Sequence, residues 1–233
     1  WYRRLPNRDR LMQVLNRAGL AHRADMFDAY MPTNTLVTAD NLGAVVERIL
    51  ALKAISPFPT MDIESYDTLK NENFKVAANG RDYVDPLSQK VTGMSVCLGS
   101  NQQHTFYFSC FHKDTANLDW ETMTDVVKEF ADKPIAHNAD FEMLVLRRNF
   151  GVQIESPLDT RIMSSYVDEN TPNGLKDIAL RLLNHKMDTY KETLERAGAA
   201  DMSEISGKDV MHYGCDDSFV TAHLAAHYAM ILD

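Results

Sequence analysis

Two stretches, VTGMSVCLGS from Val91 and HTFYFSCFH from His104, are dense in β-branched and aromatic residues and are separated by three polar ones. They read as a hairpin-like pair of strands. Another short strand, FPTMDIES, precedes them. From Asp119 onward the period changes. DWETMTDVVKEFA reads as a helix, a brief strand comes next at 134–136, and further helices start near Asn138, Asp159, Gly174 and Gly207. Strands first and helices later constrain the chain to an α/β architecture.

The N-terminal part has a different character. From NRDRLMQVLNRAGL to about residue 55 the pattern is helical, most clearly in TADNLGAVVERILALK, where Leu42, Val45, Val46, Ile49 and Leu50 share a face behind a cap at Thr38 or Asp40. ISPFPT breaks that helix, because each proline biases its predecessor toward extended geometry. The boundaries drawn are therefore a helical segment at 1–56 and a main domain at 57–233. Between the first strand and the hairpin, Tyr66 to Lys90 form a polar segment without periodicity, a length usually reserved for functional or mobile loops.

Composition narrows the class. No apolar run approaches the roughly 20 residues of a membrane span. No membrane partner is expected, and the expected location is the cytoplasm, or the host cytoplasm for a phage protein. Cys97, Cys110 and Cys215 have neither the even count of a disulfide framework nor the paired spacing of a structural zinc site. A net charge of -9 over 233 residues argues against bulk electrostatic binding of nucleic acid, and it suits an acidic cleft that holds cations. The first residue, Trp1 rather than Met, is expected of a piece of a longer chain or of a chain with a disordered start.

Acidic groups at two separated places are the candidates for chemistry, each pair equally compatible by itself with a solvated strand face or a tyrosine packed on the core. Asp62 and Glu64 in MDIES are two apart on a strand and point to one face. Adjacent carboxylates repel unless a cation neutralises them, and hard cations such as Mg²⁺ or Mn²⁺ prefer oxygen ligands. The same spacing at Asp119 and Glu121 opens a helix, where acids suit the dipole. Near the C-terminus, Tyr213 and Asp217 are four apart and share a helix face. Of the nine tyrosines this one alone has Asp at i+4. Asp216 beside it reads as a surface acid.

These acids, HNADFE opening a middle helix, and Y-x-x-x-D on the last helix resemble in their order the DEDD superfamily of 3′-to-5′ exonucleases. More narrowly, LDTRIMSSY, NGLKDIALRLLNHKMDTYKE and SEISGKDVMHYGCDD resemble the proofreading domain of family A DNA polymerases, bacterial DNA polymerase I and its phage relatives. The likeness covers about residues 57 to 233. His212 fits the spacing of the histidine branch and Tyr213 that of the tyrosine branch. The polymerase-like stretches favour Tyr213.

The resemblance implies a ribonuclease-H-like fold with a central mixed β-sheet flanked by helices, the 1–56 segment being an appendage. It implies two divalent cations about 4 Å apart over the first strand. Asp62, Glu64 and Asp217 hold one, and Asp62 with the acid of the middle motif holds the other. That acid is Asp140 or Glu142. Positions i and i+2 of a helix lie about 200° apart, and the stripe Phe141, Leu144 and Val145 falls between them, so the helical wheel does not choose. The family's spacing of asparagine, three residues and acid, counted from Asn138, selects Glu142. Asn138 fits both a substrate contact and a helix N-cap, and Phe141 fits both a stacking platform and the core.

The expected reaction is hydrolysis at the 3′ end of single-stranded or frayed DNA, releasing nucleoside monophosphates. A polymerase domain is expected in the same or an associated chain. The basic residues Lys70, Lys75, Arg81 and Lys90 make the long loop a candidate guide for the strand. Two alternatives stand beside this. One is an exoribonuclease resembling ribonuclease D, which shares the tyrosine-branch motifs. The other is a non-catalytic scaffold, since Glu142 stands where the family most often has Asp.

Overall fold

The structure is a computed structural model that describes residues 32–57, 59–69, 84–155 and 157–232. Six strands form one mixed sheet among these residues: β1 (Thr33–Val37), β2 (Thr60–Asp67), β3 (Gln89–Leu98), β4 (His104–Ser109), β5 (Ile135–Ala136) and β6 (Leu158–Asp159), in the order β1-β4-β3-β2-β5-β6. β2, β3 and β4 form an antiparallel meander, β1 adds in parallel beside β4, and β5 and β6 add in parallel beyond β2. The ribonuclease-H-like α/β fold is therefore present.

Alternation in β2 sets the two faces. Met61 and Ile63 point into the main core with Met94, Val96 and Phe108. That face is covered by α1 (Leu42–Ala54), α2 (Trp120–Glu129) and α3 (Ala139–Phe150), which contribute Ile49, Met123, Val127, Val145 and Leu146. Asp119 caps α2 by accepting a hydrogen bond from the Thr122 amide. The opposite face carries α7 (Gly207–Leu232), flanked by α4 (Thr160–Val167), α5 (Leu175–Leu183) and α6 (Tyr190–Ala197). At roughly 1.5 Å per residue, a helix as long as α7 reaches across the sheet, and it touches β1, β2, β3, β4 and β5.

The N-terminal expectation needs correction. α1 forms where the apolar stripe places it, but Thr33–Val37 is a strand and not part of a helix. β1 satisfies its backbone by pairing with β4, so the central sheet extends into the N-terminal segment. The part of that segment before residue 32 lies outside the described residues. The long polar loop is also shorter than its pattern suggests. Tyr66 and Asp67 still pair with Lys90 and Gln89, and Lys70, Lys75 and Arg81 lie outside the described residues. No helix among the described residues is long and apolar enough to cross a membrane.

Candidate active site

Two hydroxyls dock α7 on the sheet. Thr60 Oγ1 donates to the Ser218 carbonyl at 2.8 Å, and Ser95 Oγ donates to the Gly214 carbonyl at 2.8 Å. Close approach is possible because two positions lack a Cβ. A Cβ on Gly214 would lie 2.6 Å from the Tyr107 ring, and one on Gly93, which pairs with Glu64 across the strands, would lie 2.3 Å from the Tyr107 hydroxyl. Tyr107 is fully buried, its hydroxyl 2.8 Å from His112 Nε2. α7 thus lies low over β2, and Asp217 comes down beside Asp62 and Glu64.

The three carboxylates offer oxygens within 4.8 Å of one another. Glu142 approaches from α3, on the other side of the strand. It is 5% exposed, whereas Asp140 is on the surface. The buried positions of α3 are Ala139, Glu142, Val145 and Leu146, while Leu144 is exposed. The helical wheel therefore does choose between the two acids. The stripe runs through Ala139 and Leu146 at i−3 and i+4 from Glu142, a signal that the sequence contained.

Burial raises the pKa of each acid, and for Asp62, Glu64 and Glu142 the neighbouring carboxylates raise it further. Asp62 and Glu64 are pushed well above the carboxylate range, first by desolvation, then by Asp217 on Asp62 and by Asp62 and Asp217 on Glu64. Glu142 is raised by burial and then by Asp62. Asp217 rises to about 7 through burial, with Lys176 pulling it back. Glu142 Oε2 and Asp217 Oδ1 are buried with no hydrogen-bond partner. Four acids that repel one another, with orphaned oxygens aimed inward, fit divalent cations of the hard, oxygen-loving kind.

Tyr213 lies beside this cluster, 9% exposed, and burial followed by the charge of Glu64 drives its pKa far above the ordinary value. Its hydroxyl keeps its proton and has that proton to donate. His212 is exposed, its Nδ1 3.0 Å from Nδ2 of Asn34 in β1. Asp216 corrects another expectation: it is buried, and His185 Nε2 lies 2.9 Å from its carboxylate.

The middle motif is held by Asp159, a residue that its sequence pattern did not single out. Asp159 accepts from the amides of Asn138, Ala139 and Arg161 at 3.0, 2.9 and 2.7 Å, so one carboxylate caps α3 and α4 together. Asn138 is not a side-chain cap. It sits in the left-handed region at φ 77°, and its Oδ1 accepts from Arg161. Phe141 is half-buried. It packs against the core and also lines a cleft of about 360 Å³ with Glu64, Ser65, Gln89 and Tyr190. Tyr190 begins α6 behind a capping box of Thr189 and Glu192, a T-x-x-E pattern legible in DTYKE.

A mixed sheet with four acids converging midway along its first meander strand defines a metal-dependent nuclease of ribonuclease-H-like fold. The chain belongs to the 3′-5′ exonuclease family, whose model matches residues 89–232. That span holds Glu142, Tyr213 and Asp217; Asp62 and Glu64 precede it and are joined to it by the fold. The DEDD exonucleases work with two divalent ions, and the cluster fits them.

Solved structures of similar fold include NrnC of Brucella melitensis bound to pGG, at 16% identity and TM-score 0.52, covering 76% of this chain and 75% of that one. Another structure of NrnC holds Mg²⁺. RNase D of Escherichia coli, an exoribonuclease involved in structured RNA processing, matches at 13% identity and TM-score 0.55, over 85% of this chain and 44% of that one. The catalytic core of RRP6 from Trypanosoma brucei matches at 18% identity and TM-score 0.60, over 86% and 47%. The chain thus spans less than half the length of the latter two. No curated protein sequence matches it.

Proposed function

We propose that this chain shortens single-stranded RNA or short oligoribonucleotides from the 3′ end, one nucleoside monophosphate at a time. The observation that carries the reading is the convergence of Asp62, Glu64, Glu142 and Asp217 beside a cleft with aromatic walls. Its RNA character draws on the fold neighbours NrnC, RNase D and RRP6.

Asp62, Glu64 and Asp217 would hold one cation, and Glu142 with Asp62 would hold the other. Bound divalent ions supply a lowered pKa for the attacking water and charge stabilisation at the scissile phosphate. The chain's own groups do the positioning. Tyr213 donates its hydroxyl proton in a hydrogen bond to the water or the phosphate, since a phenol so far above neutrality is no base. Phe141 and Tyr190 give the terminal base flat surfaces to stack on. Asn138, fixed by Arg161, stands at the start of α3 as a contact for the strand.

A second reading, the proofreading domain of a family A polymerase acting on frayed DNA with its polymerase domain in the same or an associated chain, is favoured by the stretches LDTRIMSSY and SEISGKDVMHYGCDD. Incubating 5′-labelled RNA and DNA oligonucleotides of one sequence with Mg²⁺, Mn²⁺ or EDTA separates the two. A metal-dependent ladder descending from the 3′ end faster on RNA is expected. Faster loss of DNA would install the proofreading reading, and inertness on both would leave a scaffold.

A further inference from the structure

Lys176 is the second residue of α5, where a positive charge opposes the helix dipole. Something must offset that placement, and the acidic centre does. The ammonium lies 3.7 Å from Asp217 Oδ1, sits 4.6 Å over the ring of Tyr213, and donates to the Asp188 carbonyl. At 3.7 Å the contact with Asp217 is an ion pair and not a hydrogen bond, and the same oxygen has no hydrogen-bond partner. The side chain is 32% exposed, so the ammonium lies at the border of the cluster and solvent.

Charge counting gives this lysine a task. Asp62, Glu64, Glu142 and Asp217 together carry four negative charges when ionised. Two divalent cations cancel them. Asp159 and Asp216, whose charges also reach the cluster, are engaged by three backbone amides and by His185, so Lys176 would then be the positive charge left at the centre, opposite in sign to a phosphodiester. We propose that Lys176 is a substrate-binding residue: from its position against Asp217 and Tyr213 it pairs with a non-bridging phosphate oxygen of the bound 3′-terminal strand. The inference rests on the exonuclease reading and adds to it a group that no motif of acids contains. With divalent cations held by the four acids, Asp217 would no longer need the ammonium, and a phosphate would be the anion left to receive it.

The test measures binding of a fluorescent single-stranded oligonucleotide whose terminal linkage is a phosphorothioate, with Mg²⁺ present, across a salt series. Wild type, Lys176→Met and Lys176→Arg are compared. Losing one phosphate contact to a single strand lowers the slope of log K against log salt by about 0.7. Lys176→Met is expected to show that loss together with roughly tenfold weaker binding. Lys176→Arg is expected to keep the wild-type slope. Mn²⁺ affinity, followed by calorimetry without nucleic acid, should be unchanged or tighter in Lys176→Met, because a competing cation has gone. Should the methionine variant fail to fold, Lys176→Gln takes its place. A wild-type slope in the neutral variant, or weakened Mn²⁺ binding, overturns the inference while leaving the exonuclease reading intact. A wild-type protein that neither binds nor trims the oligonucleotide overturns that reading itself, and the inference with it.

Discussion

Replacing Gly214 by alanine tests whether close packing of α7 on Tyr107 sets the geometry of the acids. The added Cβ would lie 2.6 Å from Tyr107 Cε2 and 3.0 Å from Cδ2, in a position where Tyr107 is fully buried and cannot swing aside. A comfortable carbon contact is roughly 3.6 Å, so helix and ring must part by about 1 Å. Overpacking of this kind costs about 1–3 kcal/mol, and exchanging glycine for alanine in a helix returns up to about 1 kcal/mol. The net loss of about 1 kcal/mol corresponds to roughly 2–4 °C in Tm for a domain of this size. The effect on catalysis is much larger. Asp217 is three residues along the same helix, and a displacement of about 1 Å at a reacting centre is worth roughly 100-fold in rate. Gly43→Ala is the control: it is also helical, nothing lies within 4 Å of the added Cβ, and neither stability nor rate should fall. Thermal melts by circular dichroism in EDTA and initial rates on a labelled oligonucleotide read both quantities. Gly214→Ala with a wild-type rate would refute the claim that this contact fixes the site.

Two further outcomes concern the acids. Glu142→Gln is expected to lower the metal-dependent rate at least about 100-fold, as loss of a group acting directly on the transition state does, whereas exposed Asp140→Asn leaves it within about twofold; the reverse order, seen in initial rates at saturating Mn²⁺, would move the site to Asp140. In the metal-free protein the raised carboxyl groups, Asp217 at about 7 among them, hold protons that the unfolded chain has released above about pH 4, so stability falls as pH rises from about 4 to about 7. Melts in EDTA between pH 5 and 8 should therefore show a declining Tm, with Mn²⁺ raising it most at pH 8; a Tm that climbs with pH in EDTA would contradict the burial of these groups.

Much of the fold is legible along the chain because local rules and tertiary demands agree. The alternation in MDIES puts Met61 and Ile63 in the core and the acids opposite, and the helix starts at 139, 160, 175 and 207 fall where caps and breakers place them. β1 was not legible, because TNTLV has too few residues to show a period and gains its strand from pairing with β4. Asp216 misled for a related reason. Its burial depends on His185, which is distant in sequence, and no local pattern shows a partner 31 residues away. Other signals were present and unread: the stripe through Glu142, the capping box ahead of Tyr190, and a lysine in a helix's first turn. The left-handed Asn138 is a tertiary result, imposed where Asp159 gathers three amides.

The pairing of β2 with β5 is confined to one register point, Thr60 with Ile135, and this has a topological meaning. From β2 the chain proceeds to β3, β4 and, at the edge, meets β1; on the other flank it runs from β5 to β6. Strand order thus reverses between β2 and β5, and beyond Thr60 the two halves diverge. In open α/β sheets such a switch point, at the carboxyl ends of the strands, leaves a crevice that no side chain has to excavate. Asp62 and Glu64 lie just past the divergence, and Glu142 and Asp217 enter it from opposite faces. The location of the chemistry is therefore a property of the chain's path, while its nature is a property of four carboxylates.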